Sequence, residues 1–446
     1  DAGSFEEVLL QSPQGMQLIM EGLGGTGADS SEVVRNELLQ LLQQITQQNK
    51  NIQQFVTYND GFPMLLAIAT EPEVEAAVTA DCGSILSNLL GSSDLAKTLF
   101  CEDPGNVLRL QEMLQDYARY LLTQEGTDET AYEAAQLERR RGSAQMALSI
   151  LQALLSPADE NDAGALEQAQ NFLWARAERP EPSALIHSAL LLALAGPQEG
   201  HLDVVVSCLG FLEKLICKNG RIQGELSVLE CQFLLQGSGL PKDTDWGFAA
   251  GISVLLDEQL QTHDPVLVGV LRLAIPVPGR DDHVPLLDAA SKVFTAVFEG
   301  SEQVALQMMN HTATPPPFDP DMYAAAPDPE QDEEDAFQPS RAPFIIGREV
   351  IDFMVASLDR HLEARNALTT GDARAVALDA DACVAARNAI RGLQLLQILF
   401  RGNGEGAAML GLRIRVSCRG GDMTLLAYLV KSFGDLFPGA QDASAA

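Results

Sequence analysis

The chain has 446 residues, of which 46% are hydrophobic and 6% aromatic, with 62 acidic against 29 basic side chains and a formal net charge of −33. That length exceeds one compact domain and points to a repeat array or several domains. The acidic excess argues against a nucleic-acid binder and against direct attachment to an anionic membrane surface. It describes a solvated surface that keeps the chain in solution, with the capacity to steer towards basic patches on partners. The apolar residues are mostly Leu, Ala, Val and Ile, which favours helix packed on helix.

The chain starts at Asp1 without a charged-then-apolar leader, and no apolar run of 18 residues occurs, so it reads as a piece of a longer chain with no membrane span. Its first strong pattern is the stripe Leu38, Leu39, Leu41, Leu42 and Ile45, a helix that ends in the turn Gln47 to Lys50. A short second helix follows from Asn51 to Val56 and stops near Asn59-Asp60-Gly61; Phe62, Leu65, Leu66 and Ile68 open a third. The same cadence returns with Cys82 to Leu90, the turn Gly91 to Asp94, and Leu95 to Phe100. Met146 to Leu155 is a further stripe, closed by Ser156-Pro157. Val204 to Ile216 leads through Lys218-Asn219-Gly220 into Ile222 to Leu229, and Leu286 to Phe298 leads through Gly300-Ser301 into Val304 to Met309. The last copy joins Ile390 to Phe400 through Gly402-Asn403-Gly404 to Ala407 to Leu412.

A stripe, a Gly/Asn/Ser turn and a short second helix, repeated along the chain, predict an all-α, armadillo/HEAT-like α-solenoid, a right-handed superhelix of helical repeats. One hairpin cannot hide its stripe alone, whereas stacked neighbours build a continuous core. Interruptions are the polar stretch Gln124 to Arg141 with its basic run Arg139-Arg140-Arg141, read as the exposed start of a helix, and the loop Ala177 to Pro182. Thr312 to Pro343, with Pro315-Pro316-Pro317 and an acidic run from Asp328 to Asp335, reads as a disordered acidic Pro-rich insertion. The expected organisation is therefore armadillo-like repeats over 1–311, a disordered insertion over 312–343, continuing repeats over 344–437 and a flexible tail over 438–446. No series of short period-two runs predicts strands.

Chemistry leaves little trace. The six histidines are dispersed, and no HExxH, GxSxG or GxxxxGK[ST] pattern occurs. Gly22 to Gly27 and Gly402 to Gly406 are glycine-rich but follow no buried strand, so they read as loops. Cys82, Cys101, Cys208, Cys217, Cys231, Cys383 and Cys418 are scattered, form no CxxC pair and suit reduced core thiols better than disulfides or a zinc site. The expectation is a protein that is not an enzyme, with no catalytic site, cofactor or metal.

The stretch from Val8 to Phe100 resembles the armadillo head of the general vesicular transport factors, the Golgi vesicle-tethering proteins. The resemblance is carried by Val33-Val34-Arg35-Asn36-Glu37, the helix to Thr46, Asn49, Asn51-Ile52-Gln53-Gln54-Phe55-Val56, Tyr58-Asn59-Asp60-Gly61-Phe62 and Leu65-Leu66. It continues through Val78, Asp81-Cys82, Ile85-Leu86, Asn88-Leu89-Leu90, Ser93 and Phe100. Leu9 to Gly15 and, more loosely, Arg387-Asn388-Ala389 to Glu405 are also similar to head segments. The insertions near Gly24 to Ser31 and at 312–343, and the lack of a heptad coiled coil, depart from the family pattern. The resemblance implies a non-catalytic tethering and docking factor of ER-to-Golgi and intra-Golgi transport. Its implied partners are a Rab-type small GTPase, golgins and SNARE proteins. It further implies a homodimer, cytoplasmic and peripheral on Golgi membrane and transport vesicles, held to membrane indirectly through protein partners and binding no nucleic acid. The motif positions Arg35, Asn36, Glu37, Asn59 and Asn88 are the candidate partner contacts; helix-terminus and inter-repeat support is the competing role. Another armadillo-repeat adaptor, binding peptides or proteins in the cytosol, is the alternative, but Trp174 and Trp246 alone make no Trp–Asn ladder for a peptide.

Overall fold

The computed structural model describes residues 13–24, 32–71, 74–91, 93–123, 131–156, 163–174, 184–194, 201–228, 230–231, 264–274, 284–298, 312–313, 344–369, 375–400, 415–418 and 421–436. The chain divides into two compact units, Asp1–Asn219 with Gly237–Leu256, and Gly220–Gln236 with Asp257–Ala446. Both are built from stacked helices, and the fold is an α-solenoid.

In the first unit the helices are α1 (Pro13–Gly24), α2 (Glu32–Thr46), α3 (Lys50–Tyr58), α4 (Gly61–Ala69), α5 (Ala76–Gly91), α6 (Asp94–Glu102), α7 (Pro104–Thr123), α8 (Ala131–Leu154), α9 (Ala163–Trp174), α10 (Ala184–Leu194) and α11 (Leu202–Ile216). Their packing follows a three-helix period. α1 pairs with α2, α4 with α5, α7 with α8 and α10 with α11. The second members of these hairpins stack in the order α2, α5, α8, α11, and the first members in the order α1, α4, α7, α10. The short helices α3, α6 and α9 begin each repeat and scarcely touch one another. We call the members of each repeat first, second and third helices.

This corrects the two-helix unit expected from the stripes. The third helices carry the clear stripes: α11 buries Val204, Val205, Cys208, Leu209, Phe211, Leu212, Leu215 and Ile216 on one side. The second helix α10 is buried on every side from Leu185 to Ala193, so its sequence shows no stripe at all. Turn chemistry fits the breaks. Asn49 caps α3 by accepting from the backbone N–H of Asn51 and Ile52, and Ser93 caps α6 by accepting from Ala96. Each cap contributes about 1 kcal/mol.

The second unit holds α12 (Gly220–Val228), α13 (Val266–Ala274), α14 (Val284–Phe298), α15 (Ile346–Thr369), α16 (Ala375–Phe400) and α17 (Leu425–Leu436). α13 pairs with α14, α15 with α16, and the third helices α14 and α16 touch. Antiparallel ladders, which period-two reasoning did not predict, join β1 (Glu230–Cys231) to β2 (Asp264–Pro265), β3 (Thr312–Ala313) to β4 (Phe344–Ile345) and β5 (Arg415–Cys418) to β6 (Gly421–Thr424). Strands of two to four residues are too short for alternation to show. In the last ladder Val416 faces Met423 and Cys418 faces Gly421, whose φ of +92° suits only glycine. The β3–β4 ladder pairs the first two residues of the expected insertion with the chain just beyond it. The rest of that insertion, residues 25–27 of the first glycine-rich segment, the second segment 402–406, the loop 177–182 and the expected tail lie outside the described residues, while Gly22 to Gly24, expected as loop, close helix α1.

Two glycines mark how closely the helices approach. A Cβ on Gly392 of α16 would sit 2.7 Å from Met354 Cβ and 3.0 Å from Met354 Cα of α15, whereas one on Gly83 of α5 would meet only the Met146 side chain of α8, at 2.8 Å. Backbone cannot retreat as a flexible thioether can. Gly392→Ala is expected to cost about 1–3 kcal/mol and Gly83→Ala clearly less. Urea-unfolding midpoints of the two variants check the order.

Candidate interaction surface

The motif positions sort into separate places. Arg35, in the first turns of α2, donates from Nη1 to Glu71 Oε2 at 2.7 Å, tying α2 to the end of α4. Its Nε and the neighbouring Asn36 Oδ1 are buried and have no hydrogen-bond partner among the described residues. Glu37 is exposed. Asn59 is exposed at the C-terminus of α3, where its amide donates to Phe55 O at 2.6 Å. Asn88 on α5 reaches the far end of α2, donating to Gln43 O at 3.4 Å and Thr46 Oγ1 at 3.3 Å. Asn36 and Thr46 stand ten residues apart on one helix, roughly 15 Å. The structure therefore does not gather these residues into one site.

What it gathers instead are buried polar side chains on the first helices, each holding the C-terminal carbonyls of a third helix. Gln53 of α3 donates to Thr46 O at 2.6 Å, and Lys97 of α6 donates to Ser156 O just past α8. Gln170 of α9 donates to Lys214 O and Cys217 O at 2.9 Å each, at the end of α11. Gln223 of α12 donates to Ala296 O of α14 at 2.8 Å. All four side chains belong to buried residues. Asn219 adds a bond to Gln170 Oε1 at 3.1 Å, orienting that amide. Sequence reasoning missed this group, although Asn49, Ser93 and Asn219 each precede a clamp residue by four positions at a helix start.

The basic run also moves. Arg139, Arg140 and Arg141 lie within α8, half-buried, rather than at its exposed start. Arg140 pairs with Asp116 of α7 at 2.9 Å and stacks 4.7 Å over the Tyr120 ring. Arg141 binds Asp203, in the first turn of α11, at 2.8 Å, and Gln145 bonds the same oxygen. Asp203 Oδ1 is buried without a hydrogen-bond partner among the described residues. Beside it the buried Tyr117 hydroxyl bonds His201 Nδ1. Burial, reinforced by Asp203, pushes the Tyr117 phenol well above its ordinary range. These groups join α7, α8 and α11 to one another; Asp116, Arg139 and Arg140 also line a cleft of about 210 Å³ together with Glu71, whereas Arg141, Asp203, Tyr117 and His201 line none of the described grooves.

The described thiols are free. Burial pushes Cys82 up to about 12 and Cys101 up to about 11, and pushes Cys208 up as well. Cys383 is exposed, unlike the core thiol expected, and the side chain of Cys231 lies outside the described residues. No group of three His, Cys, Asp or Glu side chains among the described residues is placed to hold a metal ion. No described helix is long and apolar enough to cross a membrane. The outer surface of the first helices carries exposed Tyr58, Leu95 and Phe172, and a groove of about 300 Å³ opens between α6 and α9.

No family model matches the chain. Over 99 residues, 22% of its length, it is 36% identical to the general vesicular transport factor p115 of Bos taurus and 35% identical to that of Homo sapiens. Part of the chain is homologous to p115. The match covers 10% of those relatives, so the chain aligns with only a small part of p115. A crystal structure of Uso1 superposes with a TM-score of 0.50 at 19% identity, covering 68% of this chain and 39% of that one, which bears out the helical-repeat fold. The homology with p115 and the helical-repeat fold thus rest on separate comparisons, one of sequence and one of shape.

The clamps predict a contrast. Gln170→Leu strands the Lys214 and Cys217 carbonyls and is expected to cost about 1–3 kcal/mol. Asn59→Ala, at an exposed helix end, is expected to cost at most about 0.5 kcal/mol. Chemical denaturation of both variants checks it. Thiol reactivity is a second readout: with iodoacetamide at pH 8 the native protein is expected to label at Cys383 while Cys82 and Cys208 stay protected, as peptide mapping by mass spectrometry would show.

Proposed function

We propose that the chain is the head of a vesicle-tethering and docking factor in ER-to-Golgi and intra-Golgi transport, and that it binds proteins and catalyses nothing. The observation that carries this reading is the 36% identity to general vesicular transport factor p115 over 99 residues. The α-solenoid supports it, because stacked repeats expose long surfaces suited to protein docking. In this reading residues 1–311 and 344–437 are head repeats flanking the acidic insertion. The head works as a homodimer, peripheral on Golgi membrane and vesicles, through a Rab-type GTPase, golgins and SNARE proteins. Glu37 and Asn59 are the motif residues whose exposure suits partner contact, while Arg35, Asn36 and Asn88 shape the surface around them. The peptide-ladder adaptor reading gains nothing from Trp174, which is 1% exposed and committed to the core.

The test is localisation of the tagged full-length protein together with cargo transit. Coincidence with a Golgi marker, and delayed ER-to-Golgi cargo on depletion, are expected. A diffuse distribution with normal cargo transit would overturn the proposal.

A further inference from the structure

The second and third helices of the first unit each stack on their counterparts, but the first helices scarcely meet, so clefts are left between them. Between α3 and α6 the cleft is nearly closed, about 10 Å³, and is edged by Tyr58 and Leu95, 61% and 53% exposed. Between α6 and α9 it opens to about 300 Å³. Its floor is Leu154, Ala165, Leu166 and Ala169, and Phe172 stands at its side, 42% exposed. A space of this size takes one or two large apolar side chains, at the lower end of known binding clefts.

The surrounding charge says what kind of chain fits. Asp94 and Glu102 line the groove. Its lysine, Lys97, does not face outward: the ammonium donates to Asp94 Oδ1 at 2.9 Å and to Ser156 O. The groove is thus apolar at its base with a carboxylate, Glu102, exposed at its border, in a chain of net charge −33. α6 and α9 satisfy their own backbones and offer an incoming strand no ladder. An extended peptide would lay unpaired N–H and C=O groups on an apolar floor, whereas a helix brings its backbone already bonded.

We propose that the α6–α9 groove docks a basic amphipathic helix of a partner protein, one large apolar residue seated against Phe172 and Leu166 and a flanking Lys or Arg paired with Glu102. The proposal shares with the tethering reading only the premise that this chain binds proteins.

The experiment measures fluorescence anisotropy of a labelled peptide of about 18 residues, long enough for helix formation. Leu occupies positions i, i+3, i+4 and i+7, and Lys the polar face. Two control peptides replace Lys by Glu, or keep the composition and interrupt the helix with Pro. The whole protein is expected to bind the Lys peptide well above both controls. Phe172→Ala and Glu102→Lys are each expected to weaken binding at least fivefold with circular dichroism and urea midpoint unchanged, and the bound peptide is expected to slow alkylation of Cys101, which lines the groove. Equal affinity in the parent and both variants, or equal binding of the Pro-interrupted peptide, overturns the proposal. The assay contains no membrane, so that result leaves the tethering reading standing, and a failure of Golgi localisation leaves the groove standing.

Discussion

A helix that ends inside a protein leaves its last carbonyl oxygens without water, and in this solenoid those ends have to be satisfied for the repeats to stack at all. The third helices provide the stacking faces, so their C-termini are covered by neighbours. Gln53, Lys97, Gln170 and Gln223 answer that need from the first helices. The first helix of a repeat is therefore less a spacer than a lid over the end of a third helix, and its buried side is set by that duty. Lys97 shows how strong the demand is, since an ammonium is nearly buried to meet it, with Asp94 to share the charge.

The same constraint explains where sequence reading succeeded and where it could not. Apolar burial leaves a periodic record, and the stripes of α2, α5, α11 and α14 were visible because each buries one face and solvates the other. Helix α10 buries all its sides and so erased its own period. The clamp residues are Gln and Lys, types read by default as solvated, and all that separates the buried Gln53 from the exposed Gln54 locally is its place four residues after the capping Asn49. Arg139 to Arg141 look like a solvated run for the same reason; their acidic partners, Asp116 and Asp203, lie in other helices and become neighbours only through the fold.

Packing by threes also divides labour within a repeat. Second and third helices each have a counterpart in the next repeat, and their largest side chains, Tyr117 of α7 and Phe211 of α11, are consumed by the core. The first helices have a clamp on one side and no counterpart along the stack, so apolar residues on their outer side, Tyr58, Leu95 and Phe172, stay in solvent. Scattered exposed apolar residues need no explanation, but a set edging successive clefts of one layer is where a partner gains most by covering them.

This division bears on the motif shared with the tethering factors. A motif that serves repeat packing carries the fold, and Arg35 and Asn88 serve it visibly: one ties α2 to the end of α4, the other ties α5 to the end of α2. Side chains so engaged are poor candidates for partner specificity, because freeing them for a partner would unmake the repeat contact that presents them. Under the proposed docking role, specificity is better placed on positions that neither the packing nor the motif fixes, on the outer side of the first helices. Two solenoids can then share the motif, and with it the stack, while differing in what they dock.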